Sequence, residues 1–199
     1  MFAVHSGLQS GSRLPVLSQE SRGVRIAEWS VWITMGCVAA IVSALPDLAL
    51  KMPGHAVVRS VFPMTLGLAI APRHLGGAVM GASGLVTGLL LRAFNASDIG
   101  LGALTSMALT GPMLDAVLWR MQSGGWRLYV GIILAGVLAN TAAFGVKLSE
   151  KLIFGQGKRK FADWLMNALW SYPLFGIVAG LISALVWFKW RATMPKEPS

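Results

Sequence analysis

Residues 46–91 decide the fold, and they read PDLALKMPGHAVVRSVFPMTLGLAIAPRHLGGAVMGASGLVTGLLL. This stretch alternates apolar runs long enough to enter a bilayer with a few polar side chains, which lie at the ends of those runs or inside one. Hydrocarbon makes such side chains costly, so membrane proteins that keep them usually have a use for them. The stretch therefore predicts membrane helices that retain polar groups: Asp47, His55, Arg59, Arg73 and His74. Arg73 and His74 lie in a tight turn and are best explained as a headgroup-facing loop that fixes topology.

The composition of the whole chain supports lipid as its solvent. Of 199 residues, 55% are apolar and 13% are charged, whereas soluble domains average about 25% charged residues. Six spans of roughly 20 residues would use about 120 residues and leave only short loops and tails. We therefore predict an all-α, polytopic integral membrane helix bundle of about six transmembrane helices. Its parts are a flexible polar tail (1–25), a membrane domain (26–188) and a polar C-terminal tail (189–199).

The net charge of +9 does not indicate nucleic-acid binding, because the basic residues lie between apolar runs. In that position Lys and Arg orient spans and contact anionic lipid headgroups. With six spans, nine of the 17 basic residues fall on one side and seven on the other, leaving out Arg59, so the orientation stays open. We expect membrane lipid as a partner and no nucleic acid.

The sequence also argues against several kinds of chemistry. It contains no phosphate-binding loop and no convincing Ser/His/Asp or paired-carboxylate set, so we expect neither an enzyme nor a cofactor. Asp47, His55 and His74 match no known metal-ligand spacing, so we expect no metal site. The single cysteine, Cys37, lies within an apolar run and is best explained by packing.

The second apolar segment is too short to be an ordinary span. After Arg59 only residues 60–72 are free of charge, and Pro63 falls among them. An ideal helix needs about 20 residues to cross roughly 30 Å of hydrocarbon. Either the helix begins near Gly54 and carries Arg59 inward, or the segment is broken or re-entrant, which would give five spans. Both alternatives place Arg59 inside the protein.

Small residues recur at helical spacing in the first and third spans. Glycines in the third span share one face and predict a helix in the middle of the bundle, with a neighbour packed closely against it. A similar stripe on the first span predicts close helix packing there. The residues are Gly77, Gly81, Gly84 and Gly88 in the third span, and Gly36, Ala40 and Ala44 in the first.

Five polar side chains are candidates for binding a small molecule. His55 and Arg59 lie one helical turn apart and could together hold a carboxylate, although a snorkelling Arg59 and an interfacial His55 are the alternative. Asp47 could bind substrate, pair with Lys51 or cap a turn. The remaining candidates are Asp115, which could be a partner of Arg59 or an interfacial charge, and Asn140, which could bind a ligand or join two helices.

The layout resembles the substrate-capture (S) components of energy-coupling factor transporters. The resemblance covers roughly residues 26–188 and is carried by six apolar spans, by Ala40-x-x-x-Ala44 in the first span, and by PGHAVVRSVFPMTLGLAIAPR at 53–73. It implies uptake of a vitamin or other micronutrient across the cell membrane, energised by a separate transmembrane coupling subunit and ATPases. It also implies that Ala40 and Ala44 dock on the coupling subunit. The alternative function is a scaffold or assembly subunit of another membrane complex.

Overall fold

The protein is an all-α helix bundle. The structure, a computed structural model, describes residues 26–45, 53–97, 99–120, 126–154 and 158–193. Within those ranges all regular structure is helical, as the sequence predicted. The six helices are α1 (Ile26–Ala44), α2 (Ala56–Ile70), α3 (Gly76–Ala93), α4 (Leu101–Arg120), α5 (Trp126–Ile153) and α6 (Lys158–Thr193).

Neighbouring helices along the chain run in opposite directions. At one end of the bundle the indole of Trp32, near the start of α1, donates to the carbonyl of Ala71, just after α2 (3.0 Å). At the other end the guanidinium of Arg59, near the start of α2, donates to the carbonyl of Ser43 in the last turn of α1 (3.1 Å). We call these the Trp32 end and the Arg59 end. α3 and α5 begin at the Trp32 end, and α4 and α6 begin at the Arg59 end.

The outer surface of the bundle is apolar along its length. Leu134 and Leu138 on α5 are about half exposed, as are Leu174 and Leu181 on α6. Rows of exposed leucine are typical of lipid-facing helices and are rare on soluble monomers. All helices except α2 are long and apolar enough to cross a membrane. The structure is therefore compatible with a membrane protein.

The short helix α2 occupies the middle of the bundle. It contacts each of the other five helices, and nine of its 15 residues are buried. At about 1.5 Å per residue it is roughly 22 Å long, too short for the hydrocarbon layer. Most of its side chains contact protein, and Phe62 is about half exposed. The helix passes through Pro63 without a break. The second segment is thus short and continuous, and it carries Arg59 in its first turn.

This position corrects the prediction that the glycine-rich helix lies in the middle. α3 packs mainly against α1 and α4, and its outward side chains, among them Val86 and Leu90, are about half exposed. Glycines mark a face where a neighbour approaches closely, but they do not show how many neighbours a helix has. α2 is surrounded because both its apolar and its small polar side chains are buried.

The predicted glycine packing is confirmed. A Cβ at Gly77 would overlap the carbonyl oxygen of Gly111 on α4, and a Cβ at Gly81 would lie 2.6 Å from the carbonyl oxygen of Ala108. The helix backbones of α3 and α4 therefore touch. The other predicted glycines also lie where a neighbouring helix approaches closely. Gly88 packs against Leu104 of α4, Gly84 packs against α1, and Gly36 packs against Met80 and Ser83 of α3.

The docking role that the resemblance implied for Ala40 does not fit its position. Ala40 has no exposed surface and belongs to the core of the bundle. Its small side chain serves packing within this chain, so it offers no surface to a second subunit. Ala44, in the last turn of α1, is partly exposed.

Candidate functional site

A cavity of about 140 Å³ lies toward the Arg59 end of the bundle. Its walls come from the start of α2, the start of α4 and facing side chains of α5 and α6. Two predicted residues line it, and sequence reasoning missed three further polar ones. The polar side chains in the wall are His55, Ser106, Asn140, Lys147 and Tyr172.

Asn140 holds three parts of the wall together. Its side chain is buried, and its Nδ2 atom donates to the carbonyl oxygens of Gly54 (3.1 Å) and Tyr172 (2.7 Å). Because both partners are acceptors, they fix the orientation of the amide, and both amide hydrogens are used. What Asn140 has left is its Oδ1 atom, a hydrogen-bond acceptor.

Gly54 has to be glycine for this arrangement. Its φ of +84° lies in the left-handed region that side chains disfavour. A Cβ there would also lie 3.0 Å from the backbone of Tyr172. The loop before α2 is therefore pressed against α6, and this contact places His55 in the cavity wall.

Ser106 is a buried polar group of the cavity wall without a partner among the described residues. The residue is 2% exposed, and its Oγ atom has no hydrogen-bond partner among the residues that the structure describes. Other hydroxyls on α4 donate back along the helix, Thr105 to Leu101 (2.9 Å) and Thr110 to Ser106 (2.6 Å). Leaving a buried hydroxyl unpaired costs about 1–3 kcal/mol. A molecule in the cavity would remove that cost.

Ser106 is not the only buried hydroxyl in this state. Five other hydroxyls also lack partners within the described part of the chain: Ser43, Ser97, Tyr129, Ser171 and Ser183. None of these five lines the cavity. Ser106 differs from them because it adjoins a space large enough to hold a partner.

Lys147 brings a positive charge to the wall. Its Nζ atom lies 3.8 Å from the position that a Cβ on Gly100 would occupy, next to the first turn of α4. It donates to Glu150 one helical turn further along α5 (2.8 Å). Both side chains are about 30% exposed, so water reaches this side of the cavity.

Arg59 supports the wall from outside the cavity. Its Nη1 atom donates to the carbonyl oxygens of Ser43 and Leu45 (3.1 Å each), the last carbonyls of α1. Its Nη2 atom contacts Nε2 of His55. Arg59 therefore satisfies a helix C-terminus and orients His55, and it does not line the cavity. Its predicted direct contact with a ligand is corrected to an indirect role.

Asp115 lies at the opposite end of the bundle. The residue is 5% exposed, and its two carboxylate oxygens accept hydrogen bonds from the backbone N–H groups of Gly77 (2.9 Å) and Ala78 (2.8 Å). A carboxylate in this position caps the N-terminus of α3 and complements its dipole. The prediction that Asp115 shares a pocket with His55, or pairs with Arg59, is corrected: its partner is the backbone of α3.

The structure thus brings together two of the five predicted binding residues, His55 and Asn140. Asp47 lies outside the described residues. Sequence reasoning missed Ser106, Lys147 and Tyr172. Ser106 lies in an uncharged run, and Tyr172 lies in the last apolar span. Lys147 was counted with the basic loop that follows α5. No local pattern in the sequence distinguishes them.

The site does not have the composition of a metal centre. Among the described residues, no three His, Cys, Asp or Glu side chains lie close enough together to hold a metal ion. The donors around the cavity are hydroxyls, an amide, an imidazole and an ammonium, a set suited to an organic molecule.

Comparison with known proteins adds no assignment. No family model, no curated protein and no solved structure matches the chain. The resemblance to energy-coupling factor S components therefore stays a prediction from the sequence.

Proposed function

We propose that the protein is the substrate-binding component of a small-molecule uptake transporter in the cell membrane, with the cavity as its binding site. The supporting observation is Ser106, a buried hydroxyl without a partner beside a space in a closely packed bundle. Protein interiors have few voids larger than a water molecule, and polar voids hold water or ligand. Polar groups from four helices face this mostly apolar space, a combination typical of sites for small organic molecules.

The size of the cavity limits the substrate. A cavity of about 150 Å³ is known to hold one benzene molecule, so the 140 Å³ here suits a compound of about six non-hydrogen atoms. A vitamin with fused rings is far larger than this. The proposed substrate is consequently a small nutrient of about six non-hydrogen atoms. Of the vitamins and micronutrients expected from the sequence, this excludes those with fused rings.

In this proposal energy comes from separate subunits, a membrane coupling protein and ATPases. The chain contains no phosphate-binding motif, and its cavity adjoins partly exposed side chains at one end of the bundle only. Substrate would enter or leave at the Arg59 end, and the partners would drive the change that gives access to the other side.

Native mass spectrometry of the protein extracted from its own membrane tests this proposal. We expect a bound molecule with a mass on the order of 100 Da, together with a coupling subunit and ATPases. A Cβ at Gly102 would lie 3.4 Å from the carbonyl oxygen of Ala143 and 3.6 Å from side-chain atoms of Lys147 and Tyr172, which line the cavity. Gly102→Leu should therefore abolish the bound mass, because the larger side chain would occupy the space beside them.

Gly145→Leu is the matched control. A Cβ at Gly145 would have no atom within 4 Å, so this variant should retain the bound molecule. If wild type carries no small molecule, or if Gly102→Leu retains it, the cavity is not the binding site and the proposal fails. Co-purification with a complex that has no ATPases would favour the scaffold alternative.

A further inference from the structure

We propose that the cavity binds a small carboxylate that also carries a hydrogen-bond donor, a hydroxy acid or an amino acid of about six non-hydrogen atoms. This inference rests on the proposed function and names its substrate class. It follows from the separate hydrogen-bonding capacities that the wall leaves unused.

Two helices begin at the cavity. Gly54, His55 and Ala56 bring the first turn of α2 to the wall, and Gly100, Gly102 and Ala103 bring the first turn of α4. The first N–H groups of a helix carry partial positive charge. In α4 the N–H groups of Ala103 and Leu104 donate to the carbonyl oxygen of Gly100 (3.0 and 3.1 Å), so only those before Ala103 could serve a ligand. The N-cap residue of α2, His55, makes no side-chain capping bond. Two such helix ends facing one cavity favour an anion.

Lys147 strengthens this preference. Its ammonium lies beside the first turn of α4, where two positive groups repel each other unless an anion lies between them. Glu150 engages one of its three N–H donors, and Glu150 itself does not line the cavity. No Asp or Glu stands among the described lining residues, and the nearby Glu150 carboxylate is engaged by Lys147 at 2.8 Å.

Ser106 is the independent sign of a ligand. Helix ends alone do not make a site, but a hydroxyl that is 2% exposed, unpartnered and part of the cavity wall needs a partner from within the cavity. A carboxylate oxygen accepts from a hydroxyl, from an ammonium and from backbone N–H groups alike. The positive and hydroxyl groups of the wall therefore match one carboxylate.

Asn140 adds the second requirement. Both of its amide hydrogens are bound to backbone carbonyls, so only its Oδ1 acceptor is available. A ligand that has acceptors alone would leave this atom without a donor. A hydroxyl or an ammonium next to the carboxylate would supply one, which defines a 2-hydroxy or 2-amino acid in a space of about 140 Å³.

Binding of five matched compounds to the purified full chain in phosphatidylcholine nanodiscs tests the inference by calorimetry. Lactate and alanine have both groups, propionate lacks the donor, lactamide lacks the charge, and 1-amino-2-propanol replaces the anion with a cation. We expect lactate or alanine to bind about 5- to 150-fold more tightly than each of the other three, because each of those would leave a buried group of the wall unpaired.

Two variants locate the binding. Lys147→Gln and Ser106→Ala should each weaken binding of the preferred acid, by about tenfold for Ser106→Ala. Lys151→Gln removes a charge one turn further along α5, where the ammonium lies over the ring of Trp164, and should leave the affinity unchanged. The five compounds are compared on the wild-type protein, so that result does not depend on whether the variants fold.

The inference is overturned if lactamide or 1-amino-2-propanol binds as tightly as the acids, or if none of the five compounds binds at millimolar concentration. In both cases the proposed function is judged separately. A bound mass that Gly102→Leu removes and Gly145→Leu retains would still support a substrate-binding component, with a substrate of another class.

Discussion

Gly111→Ala should loosen the contact between α3 and α4 more than its single methyl group suggests. The added Cβ would overlap the carbonyl oxygen of Gly77 and lie 2.7 Å from its carbonyl carbon. Both atoms are backbone, so no side-chain rotation relieves the overlap and the helices have to separate by about 1 Å. A gap of that size forfeits a quarter to a half of each dispersion contact along the interface.

The separation would also strain a neighbouring interaction. Asp115 lies one turn after Gly111 and holds the N–H groups of Gly77 and Ala78 at 2.8–2.9 Å. Overpacked cores lose typically 1–3 kcal/mol, and with the weakened cap we expect about 2–3 kcal/mol. That range corresponds to a decrease of roughly 30- to 150-fold in the folding equilibrium constant.

Unfolding by sodium dodecyl sulfate in mixed micelles, followed by tryptophan fluorescence, measures this loss. Gly145→Ala is the control, because a Cβ there has open space around it and alanine in a helix is up to about 1 kcal/mol better than glycine. We expect Gly145→Ala to be neutral or stabilising. Equal stability of the two variants would show that α3 and α4 do not touch through their backbones, and the packing argument would fall.

Two further predictions concern the polar groups that the sequence singled out. Asp115→Ala should lower the free energy of unfolding by about 1–3 kcal/mol in the same assay, because it leaves the N–H groups of Gly77 and Ala78 without acceptors. It should leave the affinity for the bound molecule unchanged. A loss of binding at normal stability would place Asp115 in the site. Arg59→Gln should weaken binding less than Lys147→Gln does in the calorimetric titration, because Arg59 acts through His55. An effect as large as that of Lys147→Gln would mean that Arg59 contacts the ligand.

The sequence predicts those parts of the fold that depend on local spacing. Gly77, Gly81, Gly84 and Gly88 recur every three or four residues, and that period alone places them on one face whatever the tertiary structure. The apolar runs likewise predict about six helices, but they leave open whether the short second segment is continuous. Which helix is central does not follow from such periods, because the burial of α2 also depends on α4, α5 and α6, which are distant along the chain.

The site was less accessible to sequence reasoning, for a physical reason. Asp115 looks like a costly charge in an apolar span, and nothing near it in sequence reveals that its partners are backbone N–H groups 37 and 38 residues away. Lys147 looks like part of a basic loop, and only the packing of α5 against α4 places it beside a helix N-terminus. The type of a side chain predicts how much its burial costs. Which hydrogen-bond partner offsets that cost depends on the tertiary structure.

The charged groups described at both ends of the bundle have partners within the chain. At the Trp32 end, Asp115 accepts two backbone N–H groups, and Arg73 pairs with Glu28 at 2.9 Å. At the Arg59 end, Lys147 pairs with Glu150 at 2.8 Å. The charges alone therefore do not indicate where a ligand binds. The argument for the cavity is Ser106, whose buried Oγ atom lines it and has no partner among the described residues. Because an unpaired buried hydroxyl is costly, a molecule in the cavity would stabilise the wall.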